Sequence, residues 1–188
     1  MDKSNTNHIG YFHQNIFKYI HFSSSPSKWV VPKQGFDIVN ATDRIYVEMK
    51  NKHNTMNSSS SQKTFMRMQN QVLKDAESKC LLVEVIATNS QNIKWAVSLD
   101  GNLTSHNNIR RVSIDKFYEM VTGEQDAFKQ LVEILPQVMD DVLLLLPTEK
   151  FQNAVFAELH SIDSNMLKSL YLLAFKKYAG FNDLVISL

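Results

Sequence analysis

Glycine is scarce in this chain of 188 residues. Five occur (Gly10, Gly35, Gly101, Gly123, Gly180), and no two are close. That excludes a P-loop and a dinucleotide fingerprint, which need clustered glycines so that the backbone can approach phosphates. Cysteine is rarer still. Cys80 stands alone, which excludes an intramolecular disulfide and a cysteine-based zinc site. The six histidines are scattered with no ligand spacing, and no internal repeat occurs. The longest apolar runs, such as Val142 to Leu146, fall far below the roughly 20 residues of a membrane span. The first residues, Met1-Asp2-Lys3-Ser4-Asn5, lack the apolar stretch of a secretion signal. A soluble, reducing, cytoplasmic setting is expected. Charge of one sign is also missing: 20 Lys+Arg stand against 19 Asp+Glu. That total by itself makes no case for a nucleic-acid partner.

What is present is an ordinary globular composition, 44% apolar and 21% charged. The length suits one domain over 1–188. Ile9, Phe12, Ile16 and Ile20 at helical spacing predict a first helix over 8–21. A Ser- and Pro-bearing loop covers Ser23 to Lys33. Two β-rich runs, 35–40 and 45–50, flank the short polar turn Ala41-Thr42-Asp43-Arg44 and predict a hairpin. A polar loop, Asn51 to Gln62, leads to a helix capped by one of Ser58–Ser61 and running to about Lys79. Cys80 to Ala87 is nearly all apolar, as expected of a central strand buried on both faces. After a turn at 89–92, strands are expected over Ile93–Leu99 and, past a loop following Asp100-Gly101, over Ile109–Ser113. From Asp115 the pattern is helical: 115–122, 125–146 with a kink or break at Pro136, 149–159 and 165–179. Met139, Leu143, Leu146, Met166, Leu170, Leu173 and Phe175 there are read as core or as a subunit interface. The class is α/β, with a mixed central sheet of four or five strands flanked by helices. The core spans about 8–114, and a helical C-terminal portion about 115–188.

The hairpin carries the chemistry. With a four-residue turn, Asn40 pairs with Ile45, Val39 with Tyr46, Ile38 with Val47, and Asp37 with Glu48. Alternation then puts Phe36, Ile38, Ile45, Val47 and Met49 on one face and Asp37, Glu48 and Lys50 on the other. Like charges directly opposed across strands are destabilising. A bound Mg²⁺ would remove that penalty, since it takes oxygen ligands, keeps several waters and needs only one or two carboxylates. Lys50 could then orient or help deprotonate the attacking water, or stabilise charge on a phosphoryl group. The alternative is an exposed face neutralised by Lys50 and Lys52. An acid-x-Lys triplet is common, and Glu77-Ser78-Lys79 supplies a second that reads as solvated surface.

The runs Gly35-Phe36-Asp37-Ile38-Val39-Asn40 and Tyr46-Val47-Glu48-Met49-Lys50-Asn51-Lys52-His53-Asn54-Thr55-Met56-Asn57 resemble the PD-(D/E)XK nuclease superfamily. More narrowly, they are similar to type II restriction endonucleases that cut GGNCC or GGWCC sites. The similarity extends through Lys63 to Gln69 and Ile109 to Tyr118, and so covers roughly 8–146. The resemblance implies a restriction-endonuclease-like core, with Asp37 and Glu48 holding Mg²⁺ and Lys50 completing the catalytic set. It implies hydrolysis of DNA leaving 5′ phosphates, a homodimer on a near-palindromic site, and pairing with a cognate DNA methyltransferase. Phe36 stands where a proline often precedes the aspartate. Some members add an acid from the first helix; none lies between Lys3 and Asp37 here, and Gln14 or His13 either stands in that region instead or has the core helix as its only context. Repair or branched-DNA cleavage on the same core, or DNA binding without catalysis, are the competing readings.

The helix after the hairpin places Lys63, Arg67, Asn70, Gln71 and Lys74 on one face, opposite Phe65, Met68, Val72 and Ala76. It follows a loop carrying Lys52, His53, Asn54 and Asn57. Lysine and arginine bind phosphates, whereas Asn, Gln and Arg can also read base edges. Lys52, His53, Asn54, Asn57, Lys63 and Arg67 are therefore the expected DNA-binding residues. Glu84, the one charge in its strand, is either a third metal carboxylate or paired with a lysine. Of Arg110 and Arg111, at most one faces the core. The balanced total charge also conceals an asymmetry. Residues 1–76 hold 10 Lys+Arg and 5 Asp+Glu; residues 77–188 hold 10 and 14. The basic excess travels with the hairpin and its striped helix, as phosphate binding would require.

Overall fold

The computed structural model describes residues 12–20 and 28–145, together with residues 175, 177 and 178. The helix expected at 149–159, most of that at 165–179, and Leu146, Met166, Leu170 and Leu173 lie outside the described residues.

Helix α1, described over residues 12–16, tightens into a 3-10 turn at Phe17–Tyr19. Strands β1 (Ile38–Asn40) and β2 (Ile45–Lys52) form the hairpin, followed by helix α2 (Ser58–Lys74) and strand β3 (Lys79–Ile86). Strands β4 (Asn92–Leu99) and β5 (Asn102–Ser113) follow, then helices α3 (Ile114–Thr122) and α4 (Ala127–Leu145). The sheet order is β1-β2-β3-β5-β4. β2, β3 and β5 run parallel, while β1 and β4 are antiparallel edges. The expected α/β class with a mixed sheet is borne out, with five strands.

The hairpin register is the expected one over three pairs, Ile38 with Val47, Val39 with Tyr46 and Asn40 with Ile45, whereas the expected pairing of Asp37 with Glu48 is not part of the ladder. Its turn is fastened by Asn40, whose side chain donates to Asp43 Oδ2 at 2.8 Å and accepts from the Asp43 N–H at 3.0 Å. β3 is buried on both faces. On one side, Phe65, Met68 and Val72 of α2 pack on Cys80, Leu82, Trp95, Val97 and Ile109. On the other, Val47, Met49, Leu81, Val83, Val85 and Val112 meet Phe17, Phe117, Tyr118, Val121, Phe128 and Val132. Fully burying one such large side chain contributes about 1.5–3 kcal/mol, and the two layers enclose β3 between them.

Several expectations are corrected. β5 begins at Asn102, not Ile109. Asp100 and Gly101 both have positive φ, 49° and 83°, the backbone a two-residue I′ turn demands, so the chain turns straight back into β5. α2 ends at Lys74 instead of about Lys79, and Asn57, not a serine, caps it by accepting from the Ser60 N–H at 2.9 Å. α4 continues through Pro136 without a break. Phe175 belongs to the core, edge-on to Phe128 at 5.0 Å. Phe36 lies on the α2 side against Tyr46, at 5.3 Å between ring centroids. The cause is local. The Asp37 N–H reaches the Val47 carbonyl at 2.9 Å although Ile38 already pairs with Val47, so two consecutive residues address one partner, as at a β-bulge. Strict alternation fails there.

In the first helical segment Ile16 and Ile20 of the expected stripe pack partly buried against the core, Phe12 is exposed, and the fully buried residues are His13 and Phe17. His13 sits among Phe12, Tyr118 and Phe128, on the face opposite α2, and so takes no place beside Asp37 and Glu48. Burial lowers its pKa from 6.5 to about 4. The unfolded chain therefore binds the extra proton between those values, and stability falls as pH drops from 6.5 towards 4. The whole contribution is about 3 kcal/mol. Denaturant midpoints should follow that slope, and His13→Leu should flatten it; an unchanged slope in the variant would assign it to other groups.

Candidate nuclease site

Glu48 and Lys50 lie two residues apart on β2 and so project from the same face. Asp37 joins them from the bend just before β1, its Oδ2 accepting from the Met49 N–H at 2.8 Å. Burial raises the Asp37 pKa first, and the nearby Glu48 carboxylate raises it further. The Met49 N–H, Lys50 and Arg67 pull the other way. Lys50 Nζ donates to Glu48 Oε1 at 2.8 Å. Arg67, from α2, donates through Nη2 to Glu48 Oε2 and through Nη1 to the Gly35 carbonyl at 2.9 Å. Its guanidinium lies 5.2 Å from the centroid of the Phe36 ring. Asp37, Glu48 and Lys50 thus come together, and Arg67 closes the group from above.

Glu84 is 1% exposed and pairs in register with Lys50 across β2 and β3, so it lies on the same face of the sheet, but its carboxylate is engaged from the other side. Arg111, on the neighbouring strand, donates Nε to Glu84 Oε2 at 3.0 Å and Nη2 to Oε1 at 2.6 Å. The same Nη2 donates to the His53 carbonyl at 2.9 Å. The partner of Glu84 is therefore an arginine, not a lysine. Among the described residues no three of His, Cys, Asp and Glu gather in a group fit for a metal. The site offers two hard carboxylates, Asp37 and Glu48. That donor set fits Mg²⁺, which retains waters in its remaining positions.

The residues expected to meet DNA divide into two sets. Lys52, Asn54, Asn57 and Lys63 are exposed, Asn57 serving also as the α2 cap. His53 is tied down: its N–H donates to the Ile86 carbonyl at 3.0 Å. Arg67 turns inward to Glu48, and Gln71 of the same stripe donates to Ser78 Oγ at 3.2 Å. Residue spacing puts Arg67 on a polar face; only the approach of α2 to the hairpin aims it at a carboxylate. No helix among the described residues is long and apolar enough to cross a membrane.

A mixed sheet with parallel β2, β3 and β5, helices on both faces and an Asp/Glu/Lys group on the hairpin defines a restriction-endonuclease-like α/β core. Consistent with this, the family model for the Eco47II restriction endonuclease matches residues 1–144, and the chain belongs to that family. It is 32% identical over 170 residues to the type II restriction enzyme Sau96I of Staphylococcus aureus, an alignment covering 85% of this chain and 63% of that protein. The chain thus spans a little under two thirds of the length of this curated relative. No solved structure matches it significantly.

Proposed function

We propose that this chain is a type II restriction endonuclease of the PD-(D/E)XK kind. It hydrolyses DNA phosphodiester bonds with Mg²⁺ at a short near-palindromic site, GGNCC-like by kinship. The observation that carries the reading is the convergence of Asp37, Glu48 and Lys50 on one edge of β2 in a chain of this family. Asp37 and Glu48 would hold Mg²⁺, which supplies an activated water and neutralises phosphoryl charge. Asp37 is fixed by the Met49 N–H, so its carboxylate needs little reorganisation to act. Lys50 orients the attacking water and stabilises the developing charge on the phosphoryl oxygens. The water oxygen bonds to phosphorus as the bond to the 3′ oxygen breaks. The attacking water gives up a proton to bulk water, the 3′ oxygen takes one from bulk water, and a 5′ phosphate remains.

Lys52 and Lys63, exposed beside the site, neutralise backbone phosphates, and Asn54 and Asn57 stand on the same loop within reach of base edges. A near-palindromic target calls for a two-fold symmetric homodimer. The enzyme acts in the cytoplasm with a cognate methyltransferase protecting the host's sites.

Digestion of a sequenced plasmid with Mg²⁺ tests the proposal. Discrete fragments whose ends map to one short sequence and carry 5′ phosphates are expected. Nicking at branches or bubbles would favour a repair nuclease, and cleavage persisting in EDTA would sink the metal-dependent mechanism.

A further inference from the structure

Both oxygens of Glu48 are occupied by cations of the chain itself: Lys50 Nζ at Oε1 and Arg67 Nη2 at Oε2. The two cations are not equivalent. Lys50 comes from the same strand, two residues on. Arg67 comes from α2 and binds at once to Glu48 and to the Gly35 carbonyl, two residues before Asp37. One side chain therefore spans both acid-bearing segments, which is what a metal ion held by Asp37 and Glu48 would do. A guanidinium on Glu48 offsets the negative charge a divalent cation would meet there and repels it, so the two compete for Glu48.

Arg67 also has somewhere to go. Its side chain is 38% exposed. Its Nε is buried with no hydrogen-bond partner among the described residues, so the resting position leaves one donor unsatisfied. A DNA phosphate offers a guanidinium two acceptor oxygens in fork geometry. Lys63, one helical turn earlier and exposed, marks the adjacent surface as one that a phosphate backbone can approach.

Resting on the nuclease reading, the geometry points to Arg67 as a positioning residue that competes with the metal for Glu48 and yields the carboxylate to it when a DNA phosphate takes the guanidinium. Metal loading and DNA binding are thereby coupled through one side chain. In the absence of DNA the arginine holds the carboxylate in place and keeps metal affinity low.

Two measurements that need no turnover test this. The first is calorimetric titration of DNA-free protein with Mn²⁺. Arg67→Met should bind Mn²⁺ roughly tenfold more tightly than wild type, about the effect of removing one competing charge-assisted hydrogen bond. Arg67→Lys, which keeps the charge, should stay near wild type. Arg67→Gln serves as the neutral variant should the Met protein not fold. The second is binding of a short GGNCC duplex in EDTA across a salt series. Neutral variants should bind more weakly, with the salt slope reduced by about one. Unchanged or weakened Mn²⁺ affinity in both neutral variants, or an unchanged salt slope, would overturn the inference. Failure of the nuclease reading looks different: Asp37→Asn would then leave Mn²⁺ binding unaltered in every background.

Discussion

Glu48→Gln should reduce cleavage at least about 10³-fold while leaving DNA binding in EDTA intact. The substitution keeps the shape of the side chain and one acceptor oxygen, so a hydrogen bond from Lys50 or Arg67 survives. What it removes is the negative charge. A metal acting as Lewis acid and water activator supplies several kcal/mol of transition-state stabilisation, and each 1.36 kcal/mol is tenfold in rate. Because Gln is isosteric with Glu, the variant should fold with an unchanged circular dichroism spectrum. Asp37→Asn should match it, and the double variant should be little worse than either single one if the two carboxylates hold one metal as proposed. The checks are single-turnover cleavage and metal-free gel shift on one preparation. Additive losses, or activity within tenfold of wild type, would remove Glu48 from the metal site.

How much of this was legible in the sequence follows from how far apart the interacting residues lie. The hairpin register was readable because turn length and two-residue alternation are local, and the structure reproduces Ile38–Val47, Val39–Tyr46 and Asn40–Ile45. Alternation misplaced Phe36 because the doubled contact of Asp37 and Ile38 with Val47 interrupts it, and no residue in that run announces the interruption. The start of β5 was in principle readable from Asp100-Gly101. The polar run Thr104 to Asn108 obscured it, since an exposed ribbon need not alternate with apolar residues. Arg67 is different in kind. A helical wheel assigns it to the polar face, but its contact with Glu48 spans 19 residues and depends on how α2 crosses the hairpin. Arg111 and Glu84 are 27 residues apart, and their contact depends on β5 lying beside β3, a neighbour relation that sequence order does not imply.

That last pair carries the second large effect. Arg111→Met should destabilise the protein by about 3–5 kcal/mol, because it leaves the Glu84 carboxylate buried in the central strand without a counter-charge. Glu84→Leu combined with Arg111→Met should recover most of that loss, since a buried ion pair replaced by apolar groups of similar volume is often close to neutral. Denaturant unfolding of the three variants measures both statements. The double variant also separates the two roles open to Glu84. If Glu84 is a third metal carboxylate, Mn²⁺ affinity falls with it. If it serves only to seat Arg111, Mn²⁺ affinity persists and the damage appears elsewhere. The Arg111 guanidinium also anchors the His53 carbonyl, at the head of the loop that carries Asn54 and Asn57. In the double variant, amide exchange across residues 53–57 should then accelerate even where global stability is restored, and DNA binding should weaken. The second outcome is expected, because among the described residues Glu84 does not gather with Asp37 and Glu48 into a group of three acids.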